Sequence, residues 1–334
     1  STIAGNPLAS PTTGDSHNVY SIGVTRDGYI LVSGNMHVNA CRAVISNSPY
    51  DISAWTAISY TSSTEVTYPR FIKYPDGTTQ AFWRQGVSAA GQYFSALFND
   101  TTRTFGPVFQ IAATDLNANA YEQRLGVGRD GSLHFCFGLR VNANAADANR
   151  GLFYAKSTDK GLTWTNAAGT ISYPAPLTEA NSEKIADIPI YSGYVNQNGG
   201  ACDYDGHYHT CLWQTDENNH TQIVHIWFDG TVWHEELVSK FDFKVDTSRP
   251  LLTGTLSRPA LGCPRYGKTW IFYRTTEMGR DGEIRAIDVS EPGNPIEHIV
   301  TGFNMGTLEL AVNTNILMND NQLLMLATRG AIGY

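Results

Sequence analysis

The chain has 334 residues, of which 42% are hydrophobic and 16% charged, and its formal net charge is −8. This composition is typical of a globular protein and excludes a disordered one. An acidic chain without a basic tract argues against nucleic acid as a partner. The sequence holds no run of about 18 apolar residues, which argues against insertion into a membrane.

Turn signals recur along the chain and divide it into similar units. Asp-Gly pairs are the strongest short hairpin signal, and weaker turns follow them. In chain order, the turns are Asp27-Gly28, Asp76-Gly77, Asp130-Gly131, Asp205-Gly206, Tyr266-Gly267 and Asn319-Asp320. Apolar strands flank each turn, and units of about 40–60 residues with several short strands are typical of β-propeller blades.

The sequence therefore predicts an all-β fold, a β-propeller of about six to seven antiparallel blades, in a single domain over residues 1–334. Six blades are expected near residues 17–60, 66–111, 120–172, 195–238, 255–300 and 306–334. An N-terminal strand from the first sixteen residues would close the ring and protect its edge. A seventh blade would have to come from residues 165–195.

One local motif supports this architecture. Residues 157–164 read Ser-Thr-Asp-Lys-Gly-Leu-Thr-Trp, which fits the Asp box found in turns between outer blade strands. Asp159 can accept hydrogen bonds within its own turn, Gly161 supplies a positive φ, and Trp164 can pack in the interior. The motif predicts a structural element and gives no indication of activity.

Polar residues lie at the open end of each predicted hairpin, away from its turn. With a two-residue turn at Asp27-Gly28, His17 and His37 are one residue out of register. The later pairs are Tyr68 with Arg84, Tyr121 with Arg140, Gln197 with Gln214 and Arg258 with Thr275. Partners one residue out of register point to opposite faces of a regular hairpin. A site that uses both histidines therefore requires a bulge or an irregular strand end.

The five cysteines, at positions 41, 136, 202, 211 and 263, are scattered and odd in number, which does not indicate a disulfide framework. Cys202 and Cys211 could still face each other across a hairpin. His209 and Cys211 share a strand face, and His225 on the next strand could complete a metal site. We expect no required cofactor, with a structural zinc or calcium ion as the alternative.

Several segments together resemble the BNR-4 type propellers. They are His17-Asn18, residues 27–37, Thr67-Tyr-Pro-Arg-Phe71, Phe82-Trp-Arg84, the Asp box, Asn196-Gln197 and Ser257-Arg-Pro259. That group includes polysaccharide lyases such as ulvan lyases and rhamnose–glucuronate lyases. The resemblance implies that His17, His37, Tyr68 and Arg84 surround a uronate. One departure is Leu31, where the motif often has His.

The chemistry implied by this resemblance is β-elimination at a uronic acid. The enzyme must neutralise the carboxylate, remove the C5 proton and protonate the leaving O4 oxygen. Arg84 is suited to the first task as a permanently charged bidentate donor. His37 or Tyr68 would be the base, His17 would fix the carboxylate or share the proton, and Tyr68 would serve as acid. Arg84→Ala is expected to abolish turnover with little effect on the melting temperature.

A second group of residues is expected to contact the substrate. It comprises Tyr121, Arg124, Arg140, Asn196, Gln197 and Arg258. The expected partner is an acidic polysaccharide, and the expected location is extracellular, as a secreted, cell-surface or phage-tail protein. Two alternatives stay open: a non-catalytic carbohydrate-binding propeller, such as a lectin or a phage receptor-binding module, and a sialidase-like glycoside hydrolase. The sequence has no clear Arg-Ile-Pro element of the sialidase type.

Overall fold

The computed structural model describes residues 17–113, 118–248, 255–306 and 309–326. These residues divide into two compact units, the first within residues 1–120 and 175–178 and the second within residues 121–174 and 179–334. Among the described residues, no helix has both the length and the apolar character needed to cross a membrane. The predicted N-terminal strand falls within residues 1–16 and lies outside the described residues.

Unit 1 contains two antiparallel sheets. Its strands are β1 Tyr20–Val24, β2 Ile30–Gly34, β3 His37–Asn39, β4 Ala43–Ser46, β5 Trp55–Ile58, β6 Val66–Lys73, β7 Thr79–Gln85, β8 Gln92–Asn99, β9 Thr104–Phe105 and β10 Phe109–Ala112. The first sheet has the order β1-β2-β4-β5. The second has the order β10-β8-β7-β6-β3, with β9 paired to β8. The core of this unit is centred on Met36, Val66 and Trp83, which are fully buried.

Unit 2 contains four further antiparallel sheets. Its strands are β11 Asn119–Val127, β12 Leu133–Arg140, β13 Asn149–Ser157, β14 Trp164–Thr165, β15 Ser172–Tyr173, β16 Glu183–Ala186, β17 Gly200–Cys202, β18 Tyr208–Thr215, β19 Thr221–Phe228, β20 Trp233–Leu237, β21 Ala260–Gly262, β22 Trp270–Thr275, β23 Glu283–Asp288, β24 Ile296–Ile299, β25 Ala311–Val312 and β26 Met325–Leu326. The sheet orders are β11-β12-β13-β14-β15 with β16 on β13, β17-β18-β19-β20, β21-β22-β23-β24 and β25-β26. A 3₁₀ turn covers Glu179–Asn181, and helix α1 covers Thr314–Asp320.

The Asp-Gly turns are one residue longer than the sequence predicts. In the first hairpin, the Thr25 N–H donates to the Tyr29 carbonyl and the Gly28 N–H donates to the Thr25 carbonyl. This is a three-residue loop in which a type I turn is followed by a glycine at positive φ, here 86°. The other three turns repeat it, with Gly77, Gly131 and Gly206 at φ of 82–85°. Every register beyond these turns therefore shifts by one residue.

One predicted turn is wrong, and the stretch considered for a seventh blade joins another sheet. The predicted turn at Asn319-Asp320 lies instead at the end of α1, because Asn313 caps the first turn by accepting from the Ile316 N–H at 3.0 Å and Asn321 ends the helix in the left-handed region. The stretch proposed for a seventh blade does not form a separate sheet in the described residues. Its strands β14, β15 and β16 extend the sheet of β12 and β13.

The Asp box prediction is confirmed. The Asp159 carboxylate accepts from the Thr163 N–H at 2.8 Å, the Thr163 hydroxyl at 2.6 Å and the Ser157 hydroxyl at 2.8 Å. Gly161 has φ of 93°, and Trp164 is fully buried. Burial raises the pKa of Asp159, but the hydrogen bonds that it accepts, chiefly from Thr163, lower it more. The pKa of Asp159 therefore lies below its ordinary value. The motif thus closes the turn between β13 and β14 and anchors it in the core.

Candidate active site

The two histidines of the first hairpin lie side by side. Strand β1 pairs with β2 so that Tyr20 lies opposite Gly34. Both histidines lie beyond these strands: β2 ends at Gly34, Asn35 has φ of 56°, and His37 pairs with Thr67 of β6. The two imidazole rings stack with centroids 3.8 Å apart and an interplanar angle of 10°. The strand end at His37 is therefore irregular, as the sequence required of a site that uses both histidines.

Tyr68 joins this pair. Its ring centroid lies 5.6 Å from that of His17 at an angle of 29°. The three rings form a row with His17 in the middle, which we call the ring cluster. His37 is exposed, His17 is half-buried, and Tyr68 is 6% exposed. A ligand arriving from solvent therefore meets His37 first.

The segment that carries His37 is irregular on both sides of it. Asn35 and Val38 have φ of 56°, in the left-handed region that few non-glycine residues adopt. Between them Met36 is fully buried in the core of unit 1. The Val38 N–H donates to the Thr67 hydroxyl at 2.9 Å, which ties this segment to the strand of Tyr68. The burial of Met36 and this bond hold His37 outward.

Tyr68 lies at a β-bulge. Thr67 pairs with Arg84 and Arg70 with Phe82, so that two residues of β6, Tyr68 and Pro69, oppose one residue of β7. Tyr68 has φ of 55° although it precedes a proline and is bulky. That conformation costs about 1–3 kcal/mol and persists where surrounding structure imposes it, often at functional sites. The bulge turns the Tyr68 ring toward His17.

Arg84 lies deeper than the sequence suggests. It is 2% exposed, and its Nη1 donates to the Gly86 carbonyl at 2.8 Å while Nη2 donates to the Val87 carbonyl. A β-carbon built on Gly91 would lie 2.2 Å from the Arg84 guanidinium carbon. The guanidinium is therefore enclosed by residues 86–91, which join β7 to β8. Because two backbone carbonyls depend on it, removal of Arg84 will also lower stability, contrary to the expectation from sequence.

Four of the six residues predicted to contact substrate are brought together in unit 2. The Arg140 guanidinium carbon lies 4.4 Å from the Tyr121 ring centroid, and its Nη2 donates to the Asn196 side-chain oxygen at 2.7 Å. The Arg258 Nη1 donates to the Asn196 carbonyl at 3.0 Å. Asn196 thus links two arginines, and a chain of contacts runs from Tyr121 to Arg258.

Sequence reasoning missed Glu309, which completes this chain. It accepts from the Arg258 N–H at 2.9 Å, and its carboxylate lies 3.6 Å from Arg258 Nε. Burial raises the pKa of Glu309 above its ordinary value, against the lowering effect of Arg258. Nothing in the local sequence marks Glu309, which lies two residues before β25. Its partner comes from 51 residues earlier in the chain.

The other two predicted contact residues are placed differently. Gln197 has φ of 65°, and its N–H donates to the Glu122 carbonyl at 3.2 Å. The Arg124 carbonyl accepts from the Tyr208 hydroxyl at 2.9 Å.

The proposed metal ligands do not form a metal site in the described part of the chain. There, no group of three or more His, Cys, Asp or Glu side chains is arranged to hold an ion. His209 Nδ1 and His225 Nε2 share a hydrogen bond of 3.0 Å, and His209 Nε2 lies 3.5 Å from Asp203. Cys211 is a buried free thiol within the apolar core. These residues have partners without zinc, so the zinc prediction gains no support.

The proposed disulfide is absent. Cys202 and Cys211 are both free and buried. In the observed register Cys202 pairs with Tyr208, which leaves Cys211 too far along β18 to face it. Burial raises the pKa of both thiols. They are therefore unreactive core residues.

An all-β chain of antiparallel sheets, built on repeated inner hairpins and an Asp box, defines a β-propeller protein. The chain belongs to the BNR repeat-containing family, whose model matches residues 4–241. It is 25% identical over 220 residues to an ulvan lyase of Alteromonas sp. (strain LOR), an alignment that covers 60% of this chain and 45% of that protein. The chain thus spans less than half the length of this curated relative.

Solved structures agree on the fold. An ulvan lyase of a polysaccharide lyase family superposes with a TM-score of 0.70 at 16% identity, covering 89% of this chain and 72% of the other. That lyase has also been solved bound to -[GlcA(1-4)Rha3S]-. The polysaccharide lyase Uly1 gives a TM-score of 0.67 at 15% identity, covering 93% and 74% of the two chains. At these identities the comparison establishes the β-propeller fold.

Proposed function

We propose that this protein is an extracellular polysaccharide lyase that cleaves a uronic-acid-containing glycan by β-elimination. The observation that carries the proposal is the ring cluster, in which two imidazoles and a phenol meet at the open end of the inner hairpins. Such a cluster holds a base and an acid within reach of one sugar ring. The family and the resemblance to ulvan lyases make ulvan the first substrate to test.

His37 is the base in this proposal. It is the exposed member of the cluster and can approach a C5 proton directly. His17 lies between His37 and Tyr68 and orients both rings.

Tyr68 is the acid that protonates the leaving O4 oxygen. Its hydroxyl is carried on a bulge whose geometry is fixed by Pro69 and by the pairing of Thr67 with Arg84. A fixed donor reduces the reorganisation needed in the transition state. The assignment leaves one proton on His37 and removes one from Tyr68, so a proton must return to Tyr68 through solvent or His17 before the next turnover.

Arg84 neutralises the uronate carboxylate. The guanidinium has five N–H groups, but Arg84 is 2% exposed and enclosed by residues 86–91, so a substrate carboxylate cannot reach it in this arrangement. Residues 86–91 must therefore move when substrate binds. In unit 2, Tyr121, Arg140, Asn196 and Arg258 are proposed as carbohydrate contacts, since they combine an aromatic ring with two guanidinium groups.

The test is ultraviolet absorbance of the protein mixed with ulvan and other uronate polysaccharides. Elimination creates a C4–C5 double bond conjugated to the carboxylate, and hydrolysis does not. We expect a rise that falls by a factor of about 10²–10⁴ in His37→Ala and Tyr68→Phe. Arg84→Lys keeps the charge and separates catalysis from the stability loss of Arg84→Ala. A flat trace with every polysaccharide, while binding is retained, would favour a non-catalytic binding propeller.

A further inference from the structure

A second group of aromatic and cationic residues lies at the turn ends of three inner hairpins of unit 2. The Tyr204 ring has the Arg129 guanidinium carbon 3.9 Å from its centroid and that of Arg265 at 5.5 Å. Tyr266 stacks on Tyr204 with centroids 6.5 Å apart. These four residues come from the turns that join β11 to β12, β17 to β18 and β21 to β22.

The same group continues into an open cavity of about 450 Å³. Tyr266 belongs to the group and also lines the cavity, together with Lys268 and Trp270. The Lys268 ammonium lies 5.5 Å from the Trp270 ring centroid, and the His298 ring meets Trp270 edge-on at 5.3 Å. We call Arg129, Tyr204, Arg265, Tyr266, Lys268 and Trp270 the turn-end patch.

The turn-end patch contains the cations Arg129, Arg265 and Lys268, and Asp130 and Asp205 lie in the same turns. Over the described ranges, no carboxylate lies within ion-pair distance of Arg129 or Arg265, whereas Lys268 pairs with Asp288 at 2.5 Å. The Asp130 carboxylate, next to Arg129, is bound by Ser132. A hydrogen bond from Arg265 and the charge of Arg129 hold the pKa of Tyr204 below its ordinary value.

We propose that the turn-end patch is a second, non-catalytic binding site for an acidic polysaccharide that bears uronate or sulfate groups. Exposed aromatic rings stack on the apolar faces of sugars, and guanidinium groups bind carboxylate and sulfate oxygens with two hydrogen bonds. An open cavity bordered by Tyr266 and Trp270 admits a chain without enclosing its ends. A cation held over an aromatic ring places the group that binds carboxylate or sulfate next to the group that stacks on the sugar.

The patch is separate from the residues proposed to contact substrate. Tyr121 lies near the start of β11, Asn196 precedes β17, and Arg258 precedes β21. All three are at the open ends of the hairpins, whereas the patch occupies the turns of the same hairpins. A polymer can therefore engage the patch independently of the sugars near Asn196. Once a polysaccharide is bound at one site, its effective concentration at the second site rises, so the overall affinity for the polymer increases. A short oligosaccharide cannot reach both sites and gains no affinity.

Affinity electrophoresis through gels containing ulvan, polygalacturonate or neutral hydroxyethylcellulose tests the proposal. His37→Ala would be the background, so that the polymer is not degraded. Adding Arg129→Ala with Arg265→Ala, or Trp270→Ala alone, is expected to weaken retardation by an acidic polymer about tenfold, equivalent to about 1.4 kcal/mol. Added salt should weaken it too, and neutral gels should show no retardation.

Arg103→Ala is the matched control, because Arg103 also lies over a tyrosine, 4.2 Å from the Tyr29 centroid, but in unit 1. It should leave retardation unchanged. Equal retardation of the patch variants and the control would overturn the proposal, as would migration of the His37→Ala background without retardation in both acidic gels. Lyase activity is scored separately on short oligosaccharides. Patch-dependent retardation without elimination would refute the proposed function alone.

Discussion

Gly91→Ala tests whether the position of Arg84 matters. The added β-carbon would lie 2.2 Å from the Arg84 Cζ and Nη2 atoms, closer than any real contact. Gly91 does not have a positive φ, so the backbone accepts alanine and the conflict falls on the guanidinium. Arg84 must then move and lose its bonds to the carbonyls of Gly86 and Val87.

The expected magnitude follows from these contacts. Overpacking of a filled site costs about 1–3 kcal/mol. Hydrogen bonds to a charged group contribute about 1.5–3 kcal/mol each, part of which is recovered if the guanidinium finds new acceptors. We therefore expect a loss of about 2–3 kcal/mol in the free energy of unfolding. Turnover should fall by about 10²-fold or more if Arg84 stabilises charge in the transition state.

The assay combines denaturant unfolding with elimination rates on ulvan, measured where the variant is fully folded. Gly106→Ala is the matched control, because Gly106 lies in the same unit and an added β-carbon there would meet only the Leu97 carbonyl at 3.5 Å. The control should match the parent in both measurements. Parent-like turnover and stability in Gly91→Ala would refute the role given to the enclosed guanidinium.

Three further predictions address other parts of the molecule. Tyr68→Phe should lower kcat by about 10²–10⁴ with little change in KM, and an unchanged kcat would remove the hydroxyl from the mechanism. Asp159→Ala should lower the free energy of unfolding by about 1–3 kcal/mol, because Thr163 loses its acceptor, while activity per folded molecule stays constant. Burial lowers the pKa of His134 to about 3, so between pH about 6.5 and 3 only the unfolded chain takes up this proton and stability falls as the pH drops. Between pH 7 and 5, the free energy of unfolding of His134→Gln should therefore fall by about 2 kcal/mol less than that of the parent. Denaturant unfolding measures both, and equal falls would refute this prediction.

Much of the candidate site could be found from sequence because the residues are tied to recognisable turns. The Asp-Gly pairs mark the hairpins, and counting away from them reaches His17, His37, Tyr68 and Arg84. The predicted strand register was wrong by one residue. An Asp-Gly pair suits both a two-residue and a three-residue loop, since either places the glycine at positive φ. Packing of the two strand faces selects between them.

Burial was less accessible to sequence reasoning. Arg84 was expected to face the substrate, yet residues 86–91 enclose it. Glu309 was not predicted at all, because its role depends on Arg258, far from it along the chain. Likewise, the turn end at Tyr204 becomes a charged aromatic surface only when Arg129 and Arg265 reach it from neighbouring hairpins.

The sequence by itself determined the all-β class, the hairpin turns and the Asp box. Each depends on the conformational preferences of a few adjacent residues, such as glycine at positive φ and an aspartate that bonds its own turn. Only the tertiary structure decided the strand register, the bulge at Tyr68 and the enclosure of Arg84. These depend on contacts between residues that are distant in the chain, where packing of buried side chains selects among several locally acceptable backbones.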